Sequence, residues 1–146
     1  MQVERILKIK GGNVIAVEPE TPVARAVSIM VERDIGSVVV MRAGIMLGML
    51  TFREVLAGLN RQAGNLDGLT VANLMVANPE TATPDTTVDE LRRRMLESHT
   101  RYVPVVQDGQ LIGVVSFHDV AKAVLEAQSF ENRLLKDYIK NWPEQG

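Results

Sequence analysis

Two stretches decide how this chain is read: Gly113-Val114-Val115-Ser116-Phe117-His118-Asp119 and, sixty-five positions earlier, Gly48-Met49-Leu50-Thr51-Phe52-Arg53-Glu54. Each is an apolar run that reaches a hydroxyl residue and then, three positions later, an acid. A hydroxyl followed at that spacing by a carboxylate marks a helix start, because the two side chains answer the unpaired N–H groups of the first turn. Ser116 and Asp119, like Thr51 and Glu54, therefore belong to a strand-to-helix turn, and the chain builds that turn twice.

Working outward, residues 19–57 laid on residues 84–122 at the constant offset of 65 need no gap and give eleven identities in thirty-nine positions. Among them are Pro19/Pro84, Thr21/Thr86, Met30/Met95, Gly44/Gly109, Gly48/Gly113 and Phe52/Phe117. Identity at a fixed period marks an internal repeat. In the first copy Val14-Ile15-Ala16-Val17 reads as a strand. Thr21 is expected as N-cap with Pro22 at the first helical position, and Val23, Val27, Met30 and Val31 form the helix's apolar face. A hairpin follows, Val38 to Met41 and Ile45 to Thr51 about Arg42-Ala43-Gly44. In the second copy Val88, Leu91 and Met95 hold the helix face while Arg92-Arg93-Arg94 take a solvated side. Val103 to Val106 then pairs with Gln110 to Ser116 about Asp108-Gly109, a good hairpin dipeptide.

The expected fold is α+β: two β-α-β-β-α repeats related by a pseudo-twofold axis, with sheets packed against helices, because one repeat cannot cover its own hydrophobic face. Residues 1–60 form repeat one, 61–70 a polar linker, and 71–146 repeat two with the C-terminal helix. Brief helical turns, Val3 to Leu7 and Val71 to Met75, lead into each unit. From Phe117 to Asn141 there is no breaker, and Leu134, Leu135, Tyr138, Ile139 and Trp142 recur at helical spacing. That long helix carries a stripe that needs a cover, either the chain's own surface or a second subunit.

With 146 residues, 46% hydrophobic content, a net charge of −2 and no cysteine, the chain has enough material for a core but no electrostatic footprint for nucleic acid or an anionic membrane. Disulfides and thiolate metal sites are excluded. Charges stand where a signal peptide needs an apolar run, and no stretch approaches a membrane span, so a cytoplasmic location is expected. No nucleophile, base and orienting group come together in the pattern, which argues against an enzyme.

The doubled motif, the strand Val103-Pro104-Val105-Val106 and the β-α-β-β-α order resemble a tandem pair of CBS domains, the modules named after cystathionine β-synthase. The tail through Asp137-Tyr138-Ile139 is similar to that of small bacterial proteins made of a CBS pair alone. The resemblance implies a cleft for an adenine nucleotide, AMP first, with ADP, ATP or an NAD-type compound as alternatives and no resident metal. It further implies that the motif's acid takes the ribose hydroxyls, that its Ser or Thr lies near ribose or phosphate, and that a base at the start of the second strand meets phosphate. Adenine is expected on the first strand of the other repeat.

Carried onto this chain, Asp119 and Ser116 are the ribose residues, Arg101 the phosphate-facing base, and Asn13, Val14 and Ile15 the adenine wall. Lys10 adds charge and His118 lies within reach. A carboxylate suits vicinal hydroxyls, and a helix start beside it offers N–H groups to an anion; the plainer role of Ser116 and Asp119 is to cap the helix. Thr51, Arg53 and Glu54 make a weaker counterpart, since Glu54 is a methylene longer than Asp and Gly36 stands where repeat two has Arg101. His99 is expected to interact with the last carbonyls of its helix. Two functional readings follow: a non-catalytic nucleotide sensor acting on an unknown regulated protein, or a ligand-free homodimeric interaction module docking on an enzyme or transporter.

Overall fold

The computed structural model describes residues 1–140. Its elements are α1 (Val3–Lys10), β1 (Ala16–Val17), α2 (Val23–Arg33), β2 (Ser37–Arg42), β3 (Ile45–Thr51), α3 (Phe52–Arg61), α4 (Val71–Leu74), β4 (Val76–Ala77), α5 (Val88–Ser98), β5 (Tyr102–Gln107), β6 (Gln110–Ser116) and α6 (Phe117–Lys140). The fold is α+β, with one four-stranded sheet ordered β1-β2-β3-β4 and one hairpin, β5-β6.

The two hairpins are copies in detail. Each shifts register at the same repeat position, between Val40 and Met41 and between Val105 and Val106. Each turns through two residues at positive φ, Ala43 (51°) with Gly44 (77°) and Asp108 (51°) with Gly109 (76°), the backbone that matches the right-handed twist of paired strands. The expected strand Val14–Val17 shortens to Ala16–Val17, although the Ile15 carbonyl still accepts from Val39 N at 3.0 Å. Its counterpart in repeat two is a single bridge, Ala82 to Val105.

Two helix expectations are corrected. Pro22, not Thr21, is the N-cap of α2: its ψ of 139° is extended, and its carbonyl accepts from Arg25 N and Ala26 N. Thr21 instead accepts from Val71 N at 2.8 Å, which ties it to repeat two's lead-in. On α2, Val31 is 74% exposed and Ala26 is buried. Ala26 lies three positions after Val23 and four before Met30, so it shares their face, whereas Val31 is a full 100° step beyond Met30.

The lead-in helices are exchanged between the repeats. Val3 and Ile6 of α1 complete the core of repeat two with Leu91, Met95, Val103, Val105, Val115 and Val120. Val71 and Leu74 of α4 complete the core of repeat one with Val23, Ala26, Val38, Val40 and Leu50. Matching hydrogen bonds hold each exchange: Val3 N to Thr86 O and Glu4 N to Pro84 O on one side, Val71 N to Thr21 O and Ala72 N to Pro19 O on the other. The same bonds recur with the repeats swapped, as a pseudo-twofold relation requires. Each core thus draws apolar side chains from both halves of the sequence, at about 1.5–3 kcal/mol for each fully buried Val, Leu or Met.

The motif glycines make room for this exchange. A β-carbon on Gly48 would stand 2.5 Å from the Val76 carbonyl oxygen of β4, and one on Gly113 would stand 2.6 Å from Leu7 Cδ2 of α1. The lead-ins themselves differ, because α4 stops after four residues and continues as a strand beside β3, whereas α1 runs for eight.

Along α6, Val120 and Ala123 reach the core, whereas from Gln128 to Lys140 every residue is exposed, Leu134, Leu135 and Ile139 among them. Leu134, Leu135 and Ile139 are left exposed by the described residues of this chain. Asn141 and Trp142 lie outside the described residues. Among residues 1–140 no helix is long and apolar enough to cross a membrane.

Candidate functional site

Two cavities flank the seam between the repeats, and the 65-residue offset carries one onto the other. The first, about 660 Å³, is lined by Thr51, Phe52, Arg53 and Glu54 of repeat one and by Pro79, Glu80 and residues 99–102 of repeat two. The second, about 630 Å³, is lined by Ser116, Phe117 and His118 of repeat two and by Asn13, Val14, Ile15 and residues 34–37 of repeat one. Both lie in the range of small-molecule sites.

At the second cavity the turn is a reciprocal cap: Asp119 N donates to Ser116 Oγ at 3.0 Å, and Ser116 N donates to Asp119 Oδ2 at 2.9 Å. The capping role read from the sequence is therefore present. It does not consume the ligand-binding capacity of the pair, since Oδ1 and the Ser116 hydroxyl proton have no partner among the described residues. A cation is added by α1, whose last residue sends Lys10 Nζ to Asp119 Oδ2 at 2.7 Å and to the Val114 carbonyl at 2.9 Å. Burial works to raise the Asp119 pKa, but the hydrogen bonds from Lys10 and from Ser116 N, with the charge of Lys10, outweigh it and leave the carboxyl below its ordinary value.

The sequence-derived residues converge here. Lys10, Asn13, Val14, Ile15, Arg101, Ser116 and His118 line the cavity together. Asp119 itself is not in the lining; Lys10 and Ser116, both bonded to it, are. Arg101 stands at the boundary, lining both cavities, with its guanidinium 5.6 Å from the centre of the Phe52 ring. That distance is within reach of a cation–π contact.

At the first cavity the turn closes on itself. Glu54 Oε1 accepts from both Thr51 N (3.0 Å) and Thr51 Oγ1 (2.8 Å), so the longer side chain folds back and uses the hydroxyl that a ligand would need. Arg53 lines this cavity, and Glu80 in its wall is held by Arg94 Nε at 2.7 Å. Arg94 thereby leaves the solvated role expected of the Arg92-Arg93-Arg94 run.

Polar lining residues that escaped the sequence reading of the site include Asp34, His99 and Tyr102. Asp34, the left-handed C-cap of α2 at φ 52°, lines the second cavity just as His99, the left-handed C-cap of α5 at φ 55°, lines the first. The offset of 65 from His99 was the available signal. Tyr102 lines both cavities and packs edge-on against Phe52 at 6.4 Å. A β-carbon on Gly36 would fall 1.9 Å from the Tyr102 hydroxyl, so the absence of a side chain at Gly36 is what admits Tyr102. Burial and the Asp119 carboxylate raise the Tyr102 pKa, with Arg101 opposing. Among the described residues no group of three His, Asp or Glu side chains is arranged to hold a metal.

Comparison with known proteins agrees with this architecture. The CBS domain family profile matches twice, over residues 8–61 and 71–126. The mitochondrial CBS domain-containing protein CBSX3 of Arabidopsis thaliana is 28% identical over 144 residues, spanning 92% of this chain and 70% of that protein. A CBS-domain containing protein from Agrobacterium tumefaciens superposes with a TM-score of 0.81 at 31% identity, over 84% of this chain and 98% of its own. Arabidopsis CBSX2, solved in complex with AMP, superposes with a TM-score of 0.68 at 26% identity, over 78% of this chain and 90% of its own. With two copies of the motif, two exchanged lead-ins and two matches to the family profile, this chain belongs to the CBS domain family as a tandem pair.

Proposed function

We propose that the chain is a non-catalytic sensor that binds an adenine nucleotide, AMP foremost, in the second cavity. The observation that carries this is the meeting of Ser116 from one repeat with Asn13, Val14 and Ile15 from the other around a cavity of about 630 Å³, with Asp119 directly behind Ser116 and Lys10 and bonded to both. Ribose hydroxyls go to Asp119, phosphate to the Arg101 side, and the base to the Val14–Ile15 wall. The AMP complex of CBSX2 supports this reading. A ligand seated between two repeats alters their relation as far as it binds one arrangement better than another, and a regulated partner reads the difference.

Calorimetric titration with AMP, ADP, ATP, NAD and S-adenosylmethionine tests it. Binding by AMP is expected. Asp119→Ala is expected to weaken it about ten- to hundredfold, the range for a hydrogen bond to a charged group. Silence from all five compounds refutes the reading.

Homodimerisation through α6 is a second element of the proposal, supported by the exposure of Leu134, Leu135 and Ile139 on a helix that extends beyond the core. Truncation after Ala127 is expected to turn a dimer into a monomer in light scattering; an unchanged mass removes α6 as the interface.

A further inference from the structure

One oxygen of the acid on which the proposed site depends is already occupied. Asp119 Oδ2 accepts from Ser116 N and from Lys10 Nζ, two hydrogen bonds on one carboxylate oxygen, which has two lone pairs to offer. A ribose diol gripped by both carboxylate oxygens therefore competes with Lys10. The Lys10 ammonium comes from α1, the helix that repeat two borrows from the start of the chain, and it is 40% exposed at its side chain. It lines the same cavity as Arg101, where Asp34 is the acidic lining residue among the described ones. The cognate position in repeat one has no cation: the lead-ins correspond at an offset of 68, as Val3 does to Val71, which sets Asn78 opposite Lys10, and Glu54 is closed by Thr51 alone.

We propose that Lys10 is a selectivity latch, resting on Asp119 in the empty site and moving to the ligand's phosphate when ribose takes the carboxylate. An uncharged nucleoside must break the Lys10–Asp119 pair and gives the ammonium nothing in return. A nucleotide breaks the same pair and supplies a new anion, so the exchange is nearly balanced. Lys10 thereby favours phosphorylated ligands over nucleosides, and it links occupancy of the cavity to the position of α1. This inference rests on the nucleotide reading above and deepens it.

The test compares AMP and adenosine binding by calorimetry to wild-type protein and to Lys10→Met, with Lys10→Arg as the charge-retaining control. Lys10→Met is expected to tighten adenosine about threefold and weaken AMP about threefold, the scale of a part-exposed ion pair, so the preference for AMP falls about tenfold. Lys10→Arg is expected to keep the wild-type preference. Adenosine binding that fails to tighten in Lys10→Met, or AMP binding that fails to weaken, overturns the latch while leaving the nucleotide site in place. Wild-type protein that binds neither compound overturns the latch, and silence from ADP, ATP, NAD and S-adenosylmethionine as well removes the nucleotide reading with it. Circular dichroism of each variant establishes that the fold is retained.

Discussion

The turns at Thr51–Glu54 and Ser116–Asp119 share a motif, a glycine and a helix start, yet they are closed by different means. Glu54 reaches back to its own Thr51 and takes both the N–H and the hydroxyl. Asp119 is too short to do both, leaves the Ser116 hydroxyl as an acceptor for its own N–H, and turns its oxygen to Lys10. One methylene thus separates a self-satisfied cap from a carboxylate held by a displaceable cation. The flanks diverge as well. Repeat one meets a strand, β4, while repeat two meets the last turn of a helix, α1. Duplicated motifs acquire different chemistry when the segments packed against them differ.

The largest expected effect concerns those flanks. Gly48→Ala places a β-carbon against the backbone carbonyl of Val76, whereas Gly113→Ala places one against the movable end of Leu7. Gly48→Ala is expected to cost about 1–3 kcal/mol in denaturant unfolding, the range for overpacking, and Gly113→Ala distinctly less. Equal losses would break the comparison. Next in size is ligand affinity: Glu54→Ala is expected to leave AMP binding within about twofold, against the ten- to hundredfold loss for Asp119→Ala. Equal weakening by the two substitutions would make the turns equivalent.

The smallest effect is in pH. The carboxyl of Asp119 lies below its ordinary value in the folded chain, so its charged form stabilises the fold. That contribution is complete above the unfolded value of about 3.9 and is lost as pH falls through the lower folded value. Because Lys10 is 40% and Asp119 19% exposed at the side chain, the pair contributes at most about 1 kcal/mol. Thermal unfolding of wild type and Lys10→Met is expected to differ slightly at neutral pH and to converge as pH falls through the lowered folded value of Asp119. A difference that persists there would show that Lys10 stabilises the chain by something other than its partner's charge.

Much of this was legible in the residues themselves. The offset of 65, the Asp-Gly turn and the glycine-hydroxyl-acid motif are local patterns, and local patterns survive in sequence because backbone sterics and capping act within a few positions. The residues proposed for ribose and adenine were reached by placing a family's motif on matching positions; Ser116, Asn13, Val14 and Ile15 line one cavity, and Asp119 lies just behind it. Asp34 and Tyr102 were not reached. Asp34 lines the cavity because α2 ends in a left-handed cap, and Tyr102 because Gly36, sixty-six positions away, has no side chain. The face of α2 was misread at Val31 because an apolar residue one step off the stripe differs from a core residue only by what packs there.

The sequence by itself determined that the molecule is a duplicated β-α-β-β-α unit with two capped turns, because period and capping chemistry are carried by neighbouring residues. Tertiary structure alone decided that α1 and α4 trade places. Burial has no sequence range, and Val3 gains as much from the core of repeat two as it would from its own. That exchange is what brings Lys10 across 109 positions to Asp119, and with it the difference between two turns that the sequence writes almost alike.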